Sequence, residues 1–162
     1  MDSGDMAETI PYRRSKFVTD LPAARRYTAA HYWLAEEPAG VWRVGFTKFA
    51  AWMLGDLVEY EFDVPAGAAV AAGQEIGWVE GLKSLMAVYS LVEGEFLDSG
   101  DGIAENITLI DSDSYQRGWL YRARGTASAE TVDVQRYIAI LDEAVDNAIR
   151  NRREECGGEC DG

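Results

Sequence analysis

Residues 74–90 read QEIGWVEGLKSLMAVYS and contain two strand-like patterns separated by a tight turn. The first pattern covers residues 74–79 and the second covers residues 84–90, and both alternate in the manner of half-buried strands. Gly81 is expected to give the connection the backbone freedom that a tight turn needs, and Lys83 lies within that connection. The stretch therefore predicts a β-hairpin that presents one lysine near its tip.

Short strands and turns continue on both sides of this hairpin. A strand pattern at residues 41–46 precedes a two-turn helix that Thr47 is expected to cap and Gly55 to end. Residues 57–62 alternate with period two, and residues 93–95, Glu-Gly-Glu, predict a further turn. Short strands separated by turns every 8–12 residues or so indicate a β-sandwich or barrel.

A long helical pattern follows the last predicted strand, and we place it at residues 128–155. Its apolar residues recur at spacings of three and four, as on the buried face of an amphipathic helix. Glu130 and Asp133 lie near the start and Arg150 and Arg152 near the end, which suits the helix dipole. The sequence therefore predicts a mainly β domain with a long C-terminal helix.

Charge and composition exclude several classes of function. The chain has 162 residues, 28 of them acidic and 15 basic, for a formal net charge of −13. One domain is expected at this length, and so acidic a chain repels nucleic acid and anionic membrane surfaces. No apolar run approaches the roughly 18 residues of a membrane span, and the N-terminus lacks the pattern of a signal peptide. A cytoplasmic location is therefore expected, without nucleic-acid or membrane partners.

Side chains able to perform catalysis unaided are scarce. The chain has a single histidine, His31, and two cysteines, Cys156 and Cys160, which lie close to the C-terminus. No zinc cluster, nucleophile elbow, phosphate-binding loop or dinucleotide fingerprint is present in the sequence. We therefore predict neither a metal site nor an active site built from this chain's own residues.

Several motifs in register resemble the H protein of the glycine cleavage system, the lipoyl carrier of that complex. The family has His-Glu-Trp where this chain has HYW, and VESVKA where it has VEGLKS. The resemblance covers roughly residues 30–123 and rests on these segments: HYW at 31–33, VGFT at 44–47, LGDLV at 54–58, VEGLKS at 79–84, GE at 94–95, LIDSDSY at 109–115 and GWL at 118–120.

The resemblance implies a fold and a cofactor. The fold is a flattened β-barrel of the lipoyl/biotinyl type, a barrel-sandwich hybrid, with flanking helices and a long C-terminal helix. Lys83 matches the lysine that carries lipoate as an amide, and Glu80, Gly81, Leu82 and Ser84 form its attachment turn. Such a protein is a carrier and not an enzyme, because the dithiolane of the swinging arm supplies the chemistry.

This chain departs from the family around the expected position of the arm. The family shelters the methylamine-loaded arm with a serine, a glutamate, a histidine and an aspartate, where this chain has Ala30, Tyr32, Phe49 and Ala87. A buried aminomethyl cation without polar partners is costly. We expect these four residues to face the arm and to form an apolar wall. Three further departures are Leu91, Glu93 and Gly100, in place of a proline, a serine and an asparagine.

Three hypotheses follow for the function. The first is a divergent lipoate-binding protein of cytoplasmic sulfur oxidation, working with a heterodisulfide-reductase-like complex and dihydrolipoyl dehydrogenase. The second is an H protein that shuttles aminomethyl groups among the glycine cleavage enzymes. Both require a lipoate-protein ligase or other lipoyl-attachment enzymes to modify Lys83. The third is an unlipoylated binding module, which requires Lys83 to remain bare.

The predicted organisation has four parts. Residues 1–13 form a flexible N-terminus, residues 14–127 the H-protein-like lipoyl domain, residues 128–155 the C-terminal helix and residues 156–162 a flexible tail. The tail contains Cys156 and Cys160, which could close a disulfide, exchange with a dithiolane, supply two metal ligands or have no role.

Overall fold

The computed structural model describes residues 8–155, whose strands and helices have the following bounds. The strands are β1 Thr9–Arg14, β2 Phe17–Pro22, β3 Arg26–Tyr27, β4 Tyr32–Glu37, β5 Val41–Phe46, β6 Leu57–Phe62, β7 Ala69–Val70, β8 Glu75–Gly81, β9 Leu85–Tyr89, β10 Val92–Ser99 and β11 Tyr121–Ala127. The helices are α1 Lys48–Leu54, α2 Asp101–Glu105, α3 Leu109–Ser112 and α4 Val134–Glu155, and a 3₁₀ turn spans Pro38–Gly40.

The strands form two facing sheets and a separate hairpin. The larger sheet has the order β3-β4-β5-β11-β10-β7, and the smaller has the order β6-β8-β9. Neither sheet closes on itself, so the domain is a flattened barrel-sandwich with flanking helices, which confirms the predicted fold class. The remaining pair, β1 and β2, forms an antiparallel hairpin of its own.

Strand β4 contributes to two hydrophobic cores because its side chains alternate between the two faces of the sheet. Tyr32 and Leu34 point into the core between the two sheets, which also receives Val79 and Val88 from the smaller sheet. Trp33 and Ala35 point the other way, into a second core against α4. The first four of the six residues of β4 are buried, so the start of this strand has no exposed face and links the two cores.

The hairpin β1–β2 packs against α4 and is not a flexible lead-in. The prediction of a flexible segment to residue 13 is wrong for residues 9–13, which form most of β1. Tyr12 is buried and donates a hydrogen bond to Asp142, and Arg14 donates two hydrogen bonds to Asp146 at 2.8 and 2.9 Å. The sequence pattern did not reveal this strand because its partners on α4 are about 130 residues away. Residues 1–7 lie outside the described residues.

Helix α4 begins at Val134, six residues later than predicted. The preceding residues pair instead with the larger sheet, where Tyr27 and Val132 exchange backbone hydrogen bonds of 2.8 and 2.7 Å. Asp133 then accepts a hydrogen bond from the backbone N–H of Arg136 at 2.9 Å, as a helix N-cap does. The acidic residues near 130 therefore precede the helix, and the bridge to Tyr27 sets its start.

The predicted turn at residues 93–95 is also wrong, because these residues lie within β10. Gly94 lies opposite Gly125 of β11, and a Cβ at Gly94 would come within 2.0 Å of the carbonyl oxygen of Arg124. The glycine is needed for this close approach of two backbones. In the sequence, a glycine with this role looks the same as a glycine in a turn.

His31 ties α4 to the start of α1 through an uncharged network. Its Nδ1 lies 2.8 Å from the Tyr137 hydroxyl, which lies 3.0 Å from the Thr47 hydroxyl. Its ring also packs on Phe49, with ring centroids 4.6 Å apart. Burial lowers the pKa of His31 to about 4. The single histidine is therefore held neutral and shares a hydrogen bond with the Tyr137 hydroxyl.

The contribution of His31 to stability is expected to decrease as the pH is lowered from 7 to 4. In the unfolded chain the pKa of His31 is about 6.5, whereas in the folded chain it is about 4. Between these two pH values the imidazole is protonated only in the unfolded state, which stabilises that state relative to the folded one. We expect the stability advantage of the wild type over His31→Asn to shrink by about 3 kcal/mol between pH 7 and pH 4. Asparagine suits the positive φ of 72° at this position. Urea unfolding of both proteins measures the difference, and an advantage independent of pH would contradict the prediction.

Candidate functional site

The candidate site is the tip of the hairpin formed by β8 and β9. The two strands pair in antiparallel register, with Trp78 opposite Ala87 and Glu80 opposite Leu85. The backbone N–H of Gly81 donates to the carbonyl of Ser84 at 2.9 Å and closes a tight turn. Lys83 therefore lies at the tip, as the sequence predicted.

The tip rests on the junction between α1 and β6. The backbone N–H of Lys83 donates to the carbonyl of Leu54 at 2.9 Å, and that of Leu82 donates to the carbonyl of Asp56 at 2.8 Å. Gly55 lies between these two acceptors with a φ of 76°, in the left-handed region. A Cβ at Gly55 would lie 2.8 Å from Cγ of Lys83, so the lysine stem crosses directly over this glycine. The backbone at the tip is thus held on both sides while the lysine itself is exposed.

Gly81 serves a different purpose from the one its sequence position indicates. It lies at the end of β8, is buried and is not among the glycines with positive φ. A Cβ there would come within 2.1 Å of the carbonyl oxygen of Leu54 and 2.7 Å of its carbonyl carbon. Gly81 therefore allows the hairpin to lie against the end of α1, and conformational freedom is not required of it.

Lys83 is the most suitable of the chain's three lysines for attachment of a prosthetic group. Lys48 is committed to Asp111, since its Nζ donates to the Asp111 carbonyl at 2.8 Å and carboxylate at 2.7 Å. Lys16 occupies the exposed turn of the β1–β2 hairpin and has a partner of its own. Within residues 8–152, Lys83 enters no ion pair, so its amine is available to form an amide.

Two cavities open beside Lys83. The larger has a volume of about 490 Å³ and is lined by Trp52, Met53, Lys83, Ser84, Ala148, Asn151 and Arg152. The smaller has a volume of about 280 Å³ and is lined by Ala51, Trp52, Gly55, Asp56, Leu82, Lys83 and Asp111. An arm that extends from Lys83 therefore has an apolar and cationic cavity on one side and an acidic one on the other.

A third cavity lies on the outer face of the smaller sheet. It has a volume of about 530 Å³, and it is lined by Glu75, Trp78, Glu80, Leu85 and Ala87. Two hydrophobic side chains near the tip are strongly exposed, Leu82 at 74% and Leu85 at 65%. The attachment turn therefore offers an apolar tip with Glu80 beside it, which is a surface suited to contact with another protein.

The structure corrects the predicted apolar wall around the arm. Tyr32 and Phe49 are 2% and 4% exposed and belong to the two cores, and neither lines a cavity beside Lys83. Ala30 is exposed but lines none of the cavities described above, and Ala87 lines only the cavity on the outer face. The family resemblance placed these residues beside the arm, but large apolar side chains on strands and helices are more often buried.

Tyr32 joins β4 to β9 with its hydroxyl group. The hydroxyl donates to the carbonyl of Ala87 at 3.3 Å and accepts from the backbone N–H of Tyr89 at 2.9 Å. Burial raises the pKa of Tyr32 to about 12, so the phenol stays uncharged. Tyr32 and Ala87 are thus coupled to each other, and together they present no carboxylate at this position.

The three further departures also have structural roles. Leu91 donates its backbone N–H to the Tyr121 hydroxyl at 2.9 Å, which a proline at that position is unable to do. Glu93 accepts a hydrogen bond from the backbone N–H of Ala72 at 3.0 Å. A Cβ at Gly100 would come within 2.3 Å of the Trp119 carbonyl oxygen, so glycine is needed for close packing there. These departures therefore adjust the scaffold and do not contribute to the site.

The sequence pattern did not reveal the residues that line the larger cavity at Lys83. Trp52 and Met53 are on α1, whereas Asn151 and Arg152 are in the last turns of α4. The helical pattern at 128–155 was the available signal, but it does not specify where the end of the helix docks. Cys156 and Cys160 lie outside the described residues.

The described part of the chain lacks two further features. Residues 8–152 contain no group of three or more histidine, cysteine, aspartate or glutamate side chains positioned to hold a metal ion. Within the same residues, no helix has the length and apolar character required to cross a membrane.

Comparison with known proteins identifies the family. A family model described as "Glycine cleavage H-protein" matches residues 25–143. The glycine cleavage system H protein of Enterobacter sp. (strain 638) is 33% identical over 129 residues, which cover 77% of this chain and 98% of the relative. The corresponding protein of Pectobacterium carotovorum is 33% identical over 130 residues, covering 78% of this chain and 98% of the relative.

A solved structure agrees with these relatives. The crystal structure of a glycine cleavage system H protein from Mycobacterium marinum superimposes with a TM-score of 0.67 and 32% identity, covering 74% of this chain and 97% of that one. Members of this family carry lipoate covalently on a lysine and serve as carriers and not as catalysts. The matched region contains the lysine hairpin and both sheets, and by this evidence the chain belongs to the glycine cleavage H-protein family.

Proposed function

We propose that Lys83 carries the lipoyl group, as an amide on its Nζ, and that the chain presents this arm to partner enzymes in the cytoplasm. The supporting observation is the geometry of the tip. Lys83 is exposed and without an ion pair among residues 8–152, while hydrogen bonds to Leu54 and Asp56 hold the backbone beneath it. A fixed base and a free side chain are what a swinging arm requires.

The residues of the attachment turn have separate tasks in this proposal. Gly81 and Ser84 close the turn, and Gly81 also lets the hairpin lie against α1. Leu82, 74% exposed, and Glu80 on the outer face give lipoate-protein ligase or other lipoyl-attachment enzymes a mixed apolar and acidic surface to contact. When bound, the dithiolane supplies reversible sulfur redox chemistry, and the chain positions it.

For the pathway, we propose cytoplasmic sulfur oxidation with a heterodisulfide-reductase-like complex and dihydrolipoyl dehydrogenase. The observation that supports this choice is the bonding of Tyr32. The resemblance places a glutamate of the methylamine shelter at this position, and here the hydroxyl is occupied by Ala87 and Tyr89 of β9. A sheltered amine cation needs an opposite charge or hydrogen bonds, and a buried tyrosine that is already bonded to β9 supplies neither. The loss of the glutamate therefore favours a load without positive charge.

Aminomethyl transfer within the glycine cleavage system is the second candidate. The relatives are glycine cleavage H proteins, which favours it, as does the smaller cavity at Lys83, which is lined by Asp56 and Asp111. Asp111 is already paired with Lys48, which leaves Asp56 as the available partner for a cation in that cavity. An unlipoylated binding module is the third candidate, and it requires Lys83 to be bare in the native host.

Mass analysis followed by a loading assay tests these candidates in turn. We expect the protein from its native host to carry a lipoyl increment that peptide mapping assigns to Lys83. We then expect glycine decarboxylase to load the lipoylated protein with methylamine roughly tenfold to a hundredfold more slowly than a glycine cleavage H protein, since each tenfold corresponds to about 1.4 kcal/mol of lost stabilisation.

Each alternative outcome supports a different candidate. A bare Lys83 in cells that lipoylate other proteins would contradict the carrier proposal and favour a binding module. Lipoylation followed by loading at the rate of the control H protein would retain the carrier and replace sulfur oxidation with glycine cleavage.

A further inference from the structure

The larger cavity beside Lys83 combines an apolar wall with a cation. Trp52, Met53 and Ala148 form the apolar side, while Asn151 and Arg152 bring an amide and a guanidinium. No carboxylate is among the described residues that line it. In a chain with 28 acidic and 15 basic residues, a cavity of this composition is unusual.

Aromatic packing positions Arg152 at the edge of this cavity. Its guanidinium carbon lies 5.2 Å from the centre of the Trp52 ring, within the range of a cation–π interaction. Trp52 is in turn held by Phe17 and Phe49, with ring centroids at 5.3 and 5.7 Å. Within residues 8–152, no carboxylate forms an ion pair with Arg152.

This side of the cavity is formed by a segment beyond the family match. The match ends at residue 143, whereas Ala148, Asn151 and Arg152 follow it on α4. The β1–β2 hairpin, which precedes the match, holds this part of the helix through the bonds from Arg14 to Asp146. Two segments outside the family match therefore act together to bring a guanidinium to the lysine hairpin.

We propose that this cavity is a docking site for the distal end of the Lys83 arm when that end carries a small anionic group, such as an oxyanion of sulfur. The inference rests on the proposed function, since Lys83 must bear the arm. Trp52 and Met53 contact the apolar chain of the ring-opened arm, while Arg152 and Asn151 donate hydrogen bonds to the anion. A cationic load is disfavoured there because Arg152 repels it and no described carboxylate of the cavity attracts it.

Three loads of similar size and different charge test this site. Protein lipoylated on Lys83 is reduced with a phosphine, and both thiols of the opened arm are alkylated with iodoacetate, iodoacetamide or 2-bromoethylamine. The arm then bears two negative, two neutral or two positive groups. The readout is the NMR shift of the Trp52 indole N–H and the Asn151 side-chain amide. The Lys83→Arg protein is treated identically and serves as the reference. The NMR shifts that it shows arise from alkylated cysteines and are subtracted from those of the lipoylated protein.

Arg152→Gln is the informative variant, and Arg150→Gln is its matched control. Both remove one positive charge from the same helix, but Arg150 is exposed, bonds Asn147 and does not line the cavity. We expect a docked-to-free ratio about threefold higher for the negative load than for the positive load, as for a half-exposed ion pair. This preference should disappear in Arg152→Gln and persist in Arg150→Gln.

The outcomes separate this inference from the function on which it rests. Equal ratios for the three loads, or an unchanged preference in Arg152→Gln, would overturn the docking site while the carrier remains. Failure of a lipoate-protein ligase to modify Lys83, seen by mass before any alkylation, would overturn the carrier and the docking site together.

Discussion

The Lys83→Arg variant is expected to lose all carrier function while its free energy of unfolding changes by less than about 0.5 kcal/mol. Lys83 is exposed, and the bonds that hold its position come from its backbone N–H, which arginine retains. A guanidinium does not form the amide that lipoate requires, so no arm is attached. Mass analysis after incubation with lipoate-protein ligase, together with urea unfolding, measures both effects.

Lys16→Arg provides the matched control for this prediction. Lys16 lies at the exposed turn of another hairpin, so the same chemical change is made in a similar setting away from the site. It should be lipoylated as the wild type is and show the same stability. Carrier activity that persists in Lys83→Arg, or is lost in Lys16→Arg, would refute the assignment of Lys83.

Gly81→Ala is expected to cost about 3 kcal/mol of stability and to impair lipoylation, because the new methyl overlaps the Leu54 carbonyl. That carbonyl also accepts the hydrogen bond from Lys83, so moving it away releases the tip of the hairpin. The loss thus combines overpacking with a broken hydrogen bond. Urea unfolding gives the first quantity and the initial rate of lipoylation gives the second.

Gly73→Ala separates this steric effect from a general effect of replacing glycine. Gly73 has a φ of 92°, and a Cβ added there would meet no atom within 4 Å, so only the left-handed backbone penalty, about 1 kcal/mol, is expected. Lipoylation should be unaffected. A Gly81→Ala protein as stable as Gly73→Ala, with a normal rate of lipoylation, would show that the hairpin does not need close contact with α1.

Patterns that depend on neighbouring residues were predicted correctly from the sequence. The helix at 48–54, the strands at 41–46 and 57–62 and the lysine at a hairpin tip all follow from local periodicity and turn chemistry. Strand alternation and the left-handed stop at Gly55 act over a few residues, so a single sequence carries this information. The expected cap at Thr47 is not formed, because its hydroxyl lies 3.0 Å from the Tyr137 hydroxyl and makes no capping hydrogen bond.

Features that depend on distant contacts were predicted poorly. Gly81 and Gly94 were interpreted as turn residues, but both allow one backbone to approach another from elsewhere in the fold. Tyr32 and Phe49 were placed beside the arm, but both complete cores. A glycine or an aromatic residue has the same letter in either role, and only its neighbours in space distinguish them.

The sequence alone was sufficient to determine a mainly β carrier domain with Lys83 at the tip of a hairpin, because turn chemistry and family motifs are local and ordered along the chain. Tertiary structure alone determined what surrounds that lysine. Trp52 and Arg152 are 100 positions apart in the sequence and meet only because the β1–β2 hairpin and the second core hold α4 across α1. The charge of the cavity beside the arm therefore results from packing between elements. Local sequence patterns do not contain this information.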